Sequence, residues 1–270
     1  MVFGLAAQVL TFAFATPLYC GLQLMRSVTA RRPNAENIRI PRGVLNAIPL
    51  IFIVAFGIPS ALCIVPAPAR VTVDLKQIFI SLWHPWPAYV AILLTVVHLV
   101  CSPFAKNDTN IEGGRAMLKA LRRVYAFAFA NAALSHLITA TVSMATVFVP
   151  MVFDKGYGSA LHPFKVYEVA LPWLPLQVES IAAGVHIFLR WDYLIGSAGV
   201  LLWTLSLYAT AHRTILGSVG WFSLAIKATL LTILTGPAGA AVELMWERDE
   251  LVIHEAGGLK PQVSQQKKSS

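Results

Sequence analysis

Residues 169–212 read VALPWLPLQVESIAAGVHIFLRWDYLIGSAGVLLWTLSLYATAH, two apolar stretches with Arg190, Trp191 and Asp192 between them and almost no loop. A helix needs about 20 mostly apolar residues to cross the hydrocarbon core of a bilayer. The stretches near 169–189 and 193–211 both approach that length, so the reading of Arg190-Trp191-Asp192 sets the number of crossings. If both stretches cross, Asp192 sits at the tip of a tight hairpin, the chain has seven spans, and most of its basic residues fall on one side of the membrane. If only the second crosses, there are six spans and the bias nearly vanishes. The positive-inside rule favours seven.

Outward from this stretch, the other apolar blocks lie near 2–25, 44–65, 86–105, 124–149 and 219–245. The chain is 57% hydrophobic and 13% charged, which leaves no room for a soluble domain between the blocks. We therefore expect an all-α fold, a polytopic transmembrane helical bundle of about seven spans over residues 1–255, followed by a disordered basic tail at 256–270. The block 2–25 reads as a retained helix, since a signal peptide would place a shorter apolar region after a basic leader. Residues 72–83, ahead of His84-Pro85-Trp86-Pro87, read as an interfacial helix with an aromatic anchor that lies flat on the membrane.

Charge orients the bundle. Segment 26–43 carries Arg26, Arg31, Arg32, Arg39 and Arg42, and segment 105–123 carries Lys106, Arg115, Lys119, Arg122 and Arg123, whereas 66–85 has only Arg70 and Lys76. Both rich segments are expected in the cytosol, with the N-terminus lumenal and the C-terminus cytosolic. The closing Lys267-Lys268-Ser269-Ser270 resembles a di-lysine retrieval signal, which would assign the chain to the endoplasmic reticulum. The sequon Asn107-Asp108-Thr109 then faces the cytosol and stays unmodified. The net charge of +8 resides in short connections rather than in a patch with interleaved aromatics, so no nucleic-acid partner is expected. Cys20, Cys63 and Cys101 lie in or beside apolar blocks, where a thiol behaves as a small hydrophobe, and no cofactor motif or metal site is legible.

Ionisable groups are expensive inside lipid, and those that persist there mark cavities and chemistry. Glu179 and His186 lie seven residues apart, two turns along one helical face. The plain reading of Glu179 is an interhelical hydrogen bond or an interfacial position; the functional one is a proton donor. Asp192 either caps the helix that follows it or stands as an acid at a cavity mouth between aromatic walls. Glu243 either reaches inward or extends to the interface beside Trp246 and Arg248. His98 and His136 are single imidazoles in apolar helices and can be packing residues or proton carriers. Asp108 and Glu112, four apart, suggest a Mg²⁺–diphosphate motif, but no second acidic motif accompanies them and a solvated loop is the better reading. Trp191, Tyr193, Trp203 and Tyr208 offer π faces that stabilise cations, and such residues also form interfacial belts.

The segment Trp191-Asp192-Tyr193-Leu194-Ile195-Gly196-Ser197, the isolated membrane acids and the late Glu243 resemble the small integral-membrane terpene cyclases of fungal meroterpenoid pathways, the group that includes the ascochlorin and ascofuranone cyclases. That resemblance implies a lipophilic prenylated substrate, protonation of a terminal epoxide or alkene, and carbocation closure without a metal or loss of diphosphate. It implies Asp192 or Glu179 as the acid, Glu243 as its partner or the terminating base, and His186, His98 and His136 as hydrogen-bond partners or bases. Three other readings compete. A lipid or sterol isomerase would use the same groups. A transporter would show paired repeats, which the chain lacks. A retinal protein is suggested by seven spans and Lys227, but Ser223 stands where an aspartate is expected.

Overall fold

The structure, a computed structural model, describes residues 2–101, 111–171, 173, 178 and 180–256, without the side chains of 111–115, 155 and 256. Every regular element among the described residues is helical. By length and hydropathy four helices can cross a membrane, or five if one bent pair counts as a span. The chain is an integral membrane protein.

The first apolar block is two helices, α1 (Val2–Leu10) and α2 (Phe12–Arg26), broken at Thr11. Thr11 takes φ 80° and ψ 156°, a conformation that a residue with a branched Cβ rarely adopts. A short α3 (Val28–Arg31) follows. Next come α4 (Arg42–Phe52), a π-helical turn at Ile53–Gly57, and α5 (Ile58–Ile64), which together form one apolar rod. The turn precedes Pro59, which has no N–H for the Ala55 carbonyl and whose ring crowds that carbonyl, so the backbone widens there. The helices α6 (Val73–Trp83) and α7 (Trp86–Cys101) meet at 47° across His84 and Pro85. Thr72 caps α6 by accepting the Leu75 N–H at 3.1 Å. Lys76 donates to the Cys63 and Val65 carbonyls, which satisfies the open end of α5 and ties it to α6.

Next are the long α8 (Ile111–Phe148), two short helices, α9 (Lys155–Ala160) and α10 (Pro163–Tyr167), then α11 (Ile181–Leu216) and α12 (Trp221–Ala256). The hairpin expected at Arg190-Trp191-Asp192 is absent: α11 runs unbroken through all three residues. No residue there carries a turn signal, and a helix longer than the bilayer core is thick can keep a polar step inside it. The opposite correction applies to α12. Lys227 is ion-paired with Glu247 although the two are twenty residues apart, which in a straight helix would separate them by about 30 Å. The helix folds back at Gly236, φ 75° and ψ 167°, next to Pro237, giving two arms on either side of that glycine. Positive φ at Gly236 and the missing N–H of Pro237 make the reversal possible.

Contacts fix the relative directions. Phe12 lies against Gly196, Pro17 against Gly199 and Gln23 against Trp203, so α2 and α11 run parallel at close approach. His136 sits by Gly236, and Arg122 pairs with Glu250, so α8 runs antiparallel to the second arm of α12. The two ends of the bundle differ in character. At one end Leu45, Met117, Leu118, Leu121 and Ile253 form a buried cluster, and Tyr125, packed against it, leads through Asp249 to Arg248. At the other lies Asp192.

Candidate active site

Asp192 projects from α11 toward the break between α1 and α2. Its Oδ1 accepts the Ala13 N–H at 2.7 Å, so it supplies the N-cap that Thr11, in its unusual conformation, does not. Asp192 therefore caps α2, 179 residues earlier, rather than the helix that follows it. Asp192 lines a partly open cavity of about 790 Å³ bounded by α1, α2, the α6–α7 corner and α11. Its walls include the aromatic side chains of Phe12, Tyr19, Trp83 and Trp86. Among the described lining residues, Asp192 is the one carboxylic acid and His84 the one imidazole.

His84 terminates α6, and its Nδ1 lies 3.0 Å from the Ile80 carbonyl oxygen. A carbonyl can only accept, so Nδ1 is the donor in this contact, and in a neutral ring Nε2 is then the nitrogen with the free lone pair. Trp83 stands edge-on to His84 at 5.7 Å, and its Nε1–H donates to Ser60 Oγ at 2.9 Å. Trp86 opens α7, packed on Phe56 at 4.9 Å and Phe52 at 6.0 Å. The arrangement places one acid and one base on an apolar chamber walled by π faces, a setting suited to making and guiding a cation.

The other residues singled out from the sequence do not join this chamber among the described residues. Glu179 lies outside the described residues, as does Asp108, and nothing is described of the Glu112 side chain. His186 on α11 and His98 on α7 are exposed on the bundle surface. His136 has a structural partner: its Nε2 lies 3.0 Å from the Ile233 carbonyl, the acceptor that Pro237 leaves without its usual helical donor. Glu243 is half-buried on the second arm of α12, one turn before Glu247 and outside the chamber lining. Trp191 donates to the Ala170 carbonyl at 2.8 Å, and Trp203 donates to Gln23 Oε1 at 2.7 Å. Tyr193 is 48% exposed, on the outer side of α11. Tyr208 stacks on His212 at 3.8 Å and carries the Lys227 ammonium 5.9 Å from its ring centre. These four aromatics join helices or face outward; none lines the chamber.

Sequence reasoning missed His84, Trp83, Trp86, Tyr19 and Phe12 as cavity residues. The run Trp83-His84-Pro85-Trp86-Pro87 held a usable signal, because an imidazole between two indoles at a proline corner places polar and π groups at the end of a broken helix. Read as an interfacial anchor, it pointed outward instead.

A family model described as the CtvD domain matches residues 1–253. The chain is 31% identical over 201 residues to terpene cyclase penA of Penicillium crustosum, covering 74% of this chain and 52% of that protein. It is 27% identical over 254 residues to terpene cyclase ctvD of Aspergillus terreus, covering 92% and 67%. With terpene cyclase ascI of Acremonium egyptiacum the identity is 24% over 266 residues, covering 93% and 62%. The chain thus spans from 52% to 67% of the length of these curated relatives. No solved structure matches.

Proposed function

The chain belongs to the CtvD domain family, and from that premise we propose that it is a membrane-bound terpene cyclase acting on the prenyl chain of a meroterpenoid precursor. The observation that carries the reading is the chamber itself, an aromatic cavity of about 790 Å³ with Asp192 as its single acid among the described lining residues. The Ala13 amide holds one carboxyl oxygen, which fixes the orientation of the other toward a guest.

The reaction is an isomerisation. The Asp192 carboxyl delivers its proton to the oxygen of a terminal epoxide, the C–O bond breaks with both electrons to that oxygen, and the π pair of a neighbouring alkene closes the ring onto the electron-poor carbon. Trp83, Trp86, Phe12 and Tyr19 present π faces along the path of the positive charge. The last cation is quenched by loss of a proton to His84 Nε2. Glu243 stays with the Lys227–Glu247 pair that clasps the two arms of α12, and His186 and His98 face lipid.

In the same proposal the chain crosses the membrane of the endoplasmic reticulum seven times. The crossings are α1 with α2, α4 with α5, α7, α8, α11 and each arm of α12, with the N-terminus lumenal and the C-terminus cytosolic. The basic segments and the directions in which neighbouring helices run support that path, and a lipophilic substrate then enters sideways from the bilayer. The test is to incubate microsomes bearing the chain with a terminally epoxidised prenylated phenol. A cyclic product of unchanged mass is expected; recovery of only the linear epoxide and its hydrolysed diol would end the proposal.

A further inference from the structure

Behind the cavity wall stands a second layer of aromatic rings that is not part of its lining. Trp83 and Trp86 line the chamber, and both rest on the α4–α5 rod. Phe56, within the π-helical turn Ile53–Gly57, packs on Trp86 with centroids 4.9 Å apart at 62°, and on Trp83 at 6.4 Å. Phe52, one turn earlier, packs on Phe56 at 4.9 Å, on Trp86 at 6.0 Å and on Phe127 of α8 at 6.2 Å. Neither phenylalanine lines the cavity. The two indoles are held differently. Trp83 is anchored by its hydrogen bond to Ser60, whereas the buried Trp86 Nε1 has no hydrogen-bond partner among the described residues. No side-chain hydrogen bond among the described residues holds the Trp86 ring, and Phe56 makes the closest of its ring contacts.

π-helical turns cost regular hydrogen bonding and cluster where a helix must place one side chain out of its ordinary register. Here the widened turn falls on the residue that buttresses both indoles. We infer that Phe56 is a positioning residue whose bulk, through Trp83 and Trp86, sets the depth of the chamber and so the length of prenyl chain that the site cyclises. The inference rests on the cyclase reading above. A smaller side chain at 56 lets Trp86 retreat and deepens the chamber; a larger one pushes it inward.

The experiment compares wild type, Phe56→Ala, Phe56→Leu and Phe56→Trp in microsomes. The substrates are terminal epoxides with geranyl, farnesyl and geranylgeranyl chains on one common phenol. Since a methylene more or less in an apolar pocket already changes kcat/KM by about tenfold or more, Phe56→Ala should move the ratio of long-chain to short-chain kcat/KM upward by at least about tenfold. Most of that change should lie in KM. Phe56→Trp should move the ratio the other way, and Phe56→Leu should fall between. If Phe56→Ala does not accumulate, the opposed shifts of the Leu and Trp variants carry the test. Equal chain-length ratios in all folded variants, with wild type active, would overturn the inference and leave the cyclase reading standing. A wild type that cyclises none of the three chains would overturn that reading itself, and the inference with it.

Discussion

The Asp192 end and the Arg248 end of the bundle both hold ionisable groups beside apolar helices, and they use them in opposite ways. At the Arg248 end Arg248, Asp249, Arg122 and Glu250 are each engaged by other protein groups, although the buried Arg248 Nε has no hydrogen-bond partner among the described residues. Arg248, 4% exposed, donates to Asp249 and to the Thr29 carbonyl at 2.6 Å, and Asp249 accepts the Tyr125 hydroxyl at 2.6 Å. Arg122 forks onto Glu250 at 2.6 and 3.1 Å, and Trp246 donates to the same carboxylate at 2.6 Å. At the Asp192 end the hydrogen bond described for the carboxyl is to one backbone amide, beside an open chamber. The lesson is that an intramembrane charge is informative for chemistry when the protein leaves part of it unengaged. Where a charge is met by an opposite charge on a neighbouring helix, the pair pins the helices together.

Three substitutions sharpen or break this contrast. The largest effect should come from Arg248→Met, which leaves Asp249 buried without its cation. Breaking one side of a buried pair costs about 3–5 kcal/mol, so a clear drop in the melting temperature of detergent-solubilised protein is expected, with turnover per folded molecule unchanged. Loss of turnover without loss of stability would show that this end takes part in the chemistry. Next comes His136→Leu, which strands the Ile233 carbonyl beside the Gly236–Pro237 reversal. A backbone acceptor left unsatisfied away from water costs about 1–3 kcal/mol, again read as a melting shift at constant activity. A stable but inactive variant would return His136 to the site. The smallest effect belongs to Arg122→Gln. That guanidinium side chain is 47% exposed, and pairs of this kind contribute under about 1 kcal/mol, so melting in low and high salt should barely differ from wild type. A loss comparable to that of Arg248→Met would mean that the pairing is one tightly coupled network.

Much of the architecture was readable from residues alone, because hydropathy blocks of bilayer length need only local information. The expected helices were divided differently from the observed ones at two places. Arg190-Trp191-Asp192 looked like a boundary because two charges interrupt an apolar run, yet α11 continues through them, since the carboxyl finds its partner on α2. Gly236-Pro237 was passed over inside an apolar run, although that dipeptide is among the strongest local punctuation. Asp192 could be picked out as a polar group in lipid, but its capping of α2 depends on a contact 179 residues away, which no window of sequence contains. Glu243 looked equivalent to Asp192 from composition. Only the fold separates them, by folding α12 back so that Glu243 stands beside the Lys227–Glu247 clasp. The cavity aromatics are scattered over α2, α6 and α7, and only tertiary packing gathers them.

The most direct measurement is the turnover of Asp192→Asn, in membranes, on a prenyl epoxide that wild type cyclises. Asparagine keeps an oxygen for the Ala13 amide, so stability should hold, while removal of the transferable proton should lower kcat by about a hundredfold or more. A variant that folds normally and cyclises at the wild-type rate would contradict the assignment of Asp192 as the proton donor.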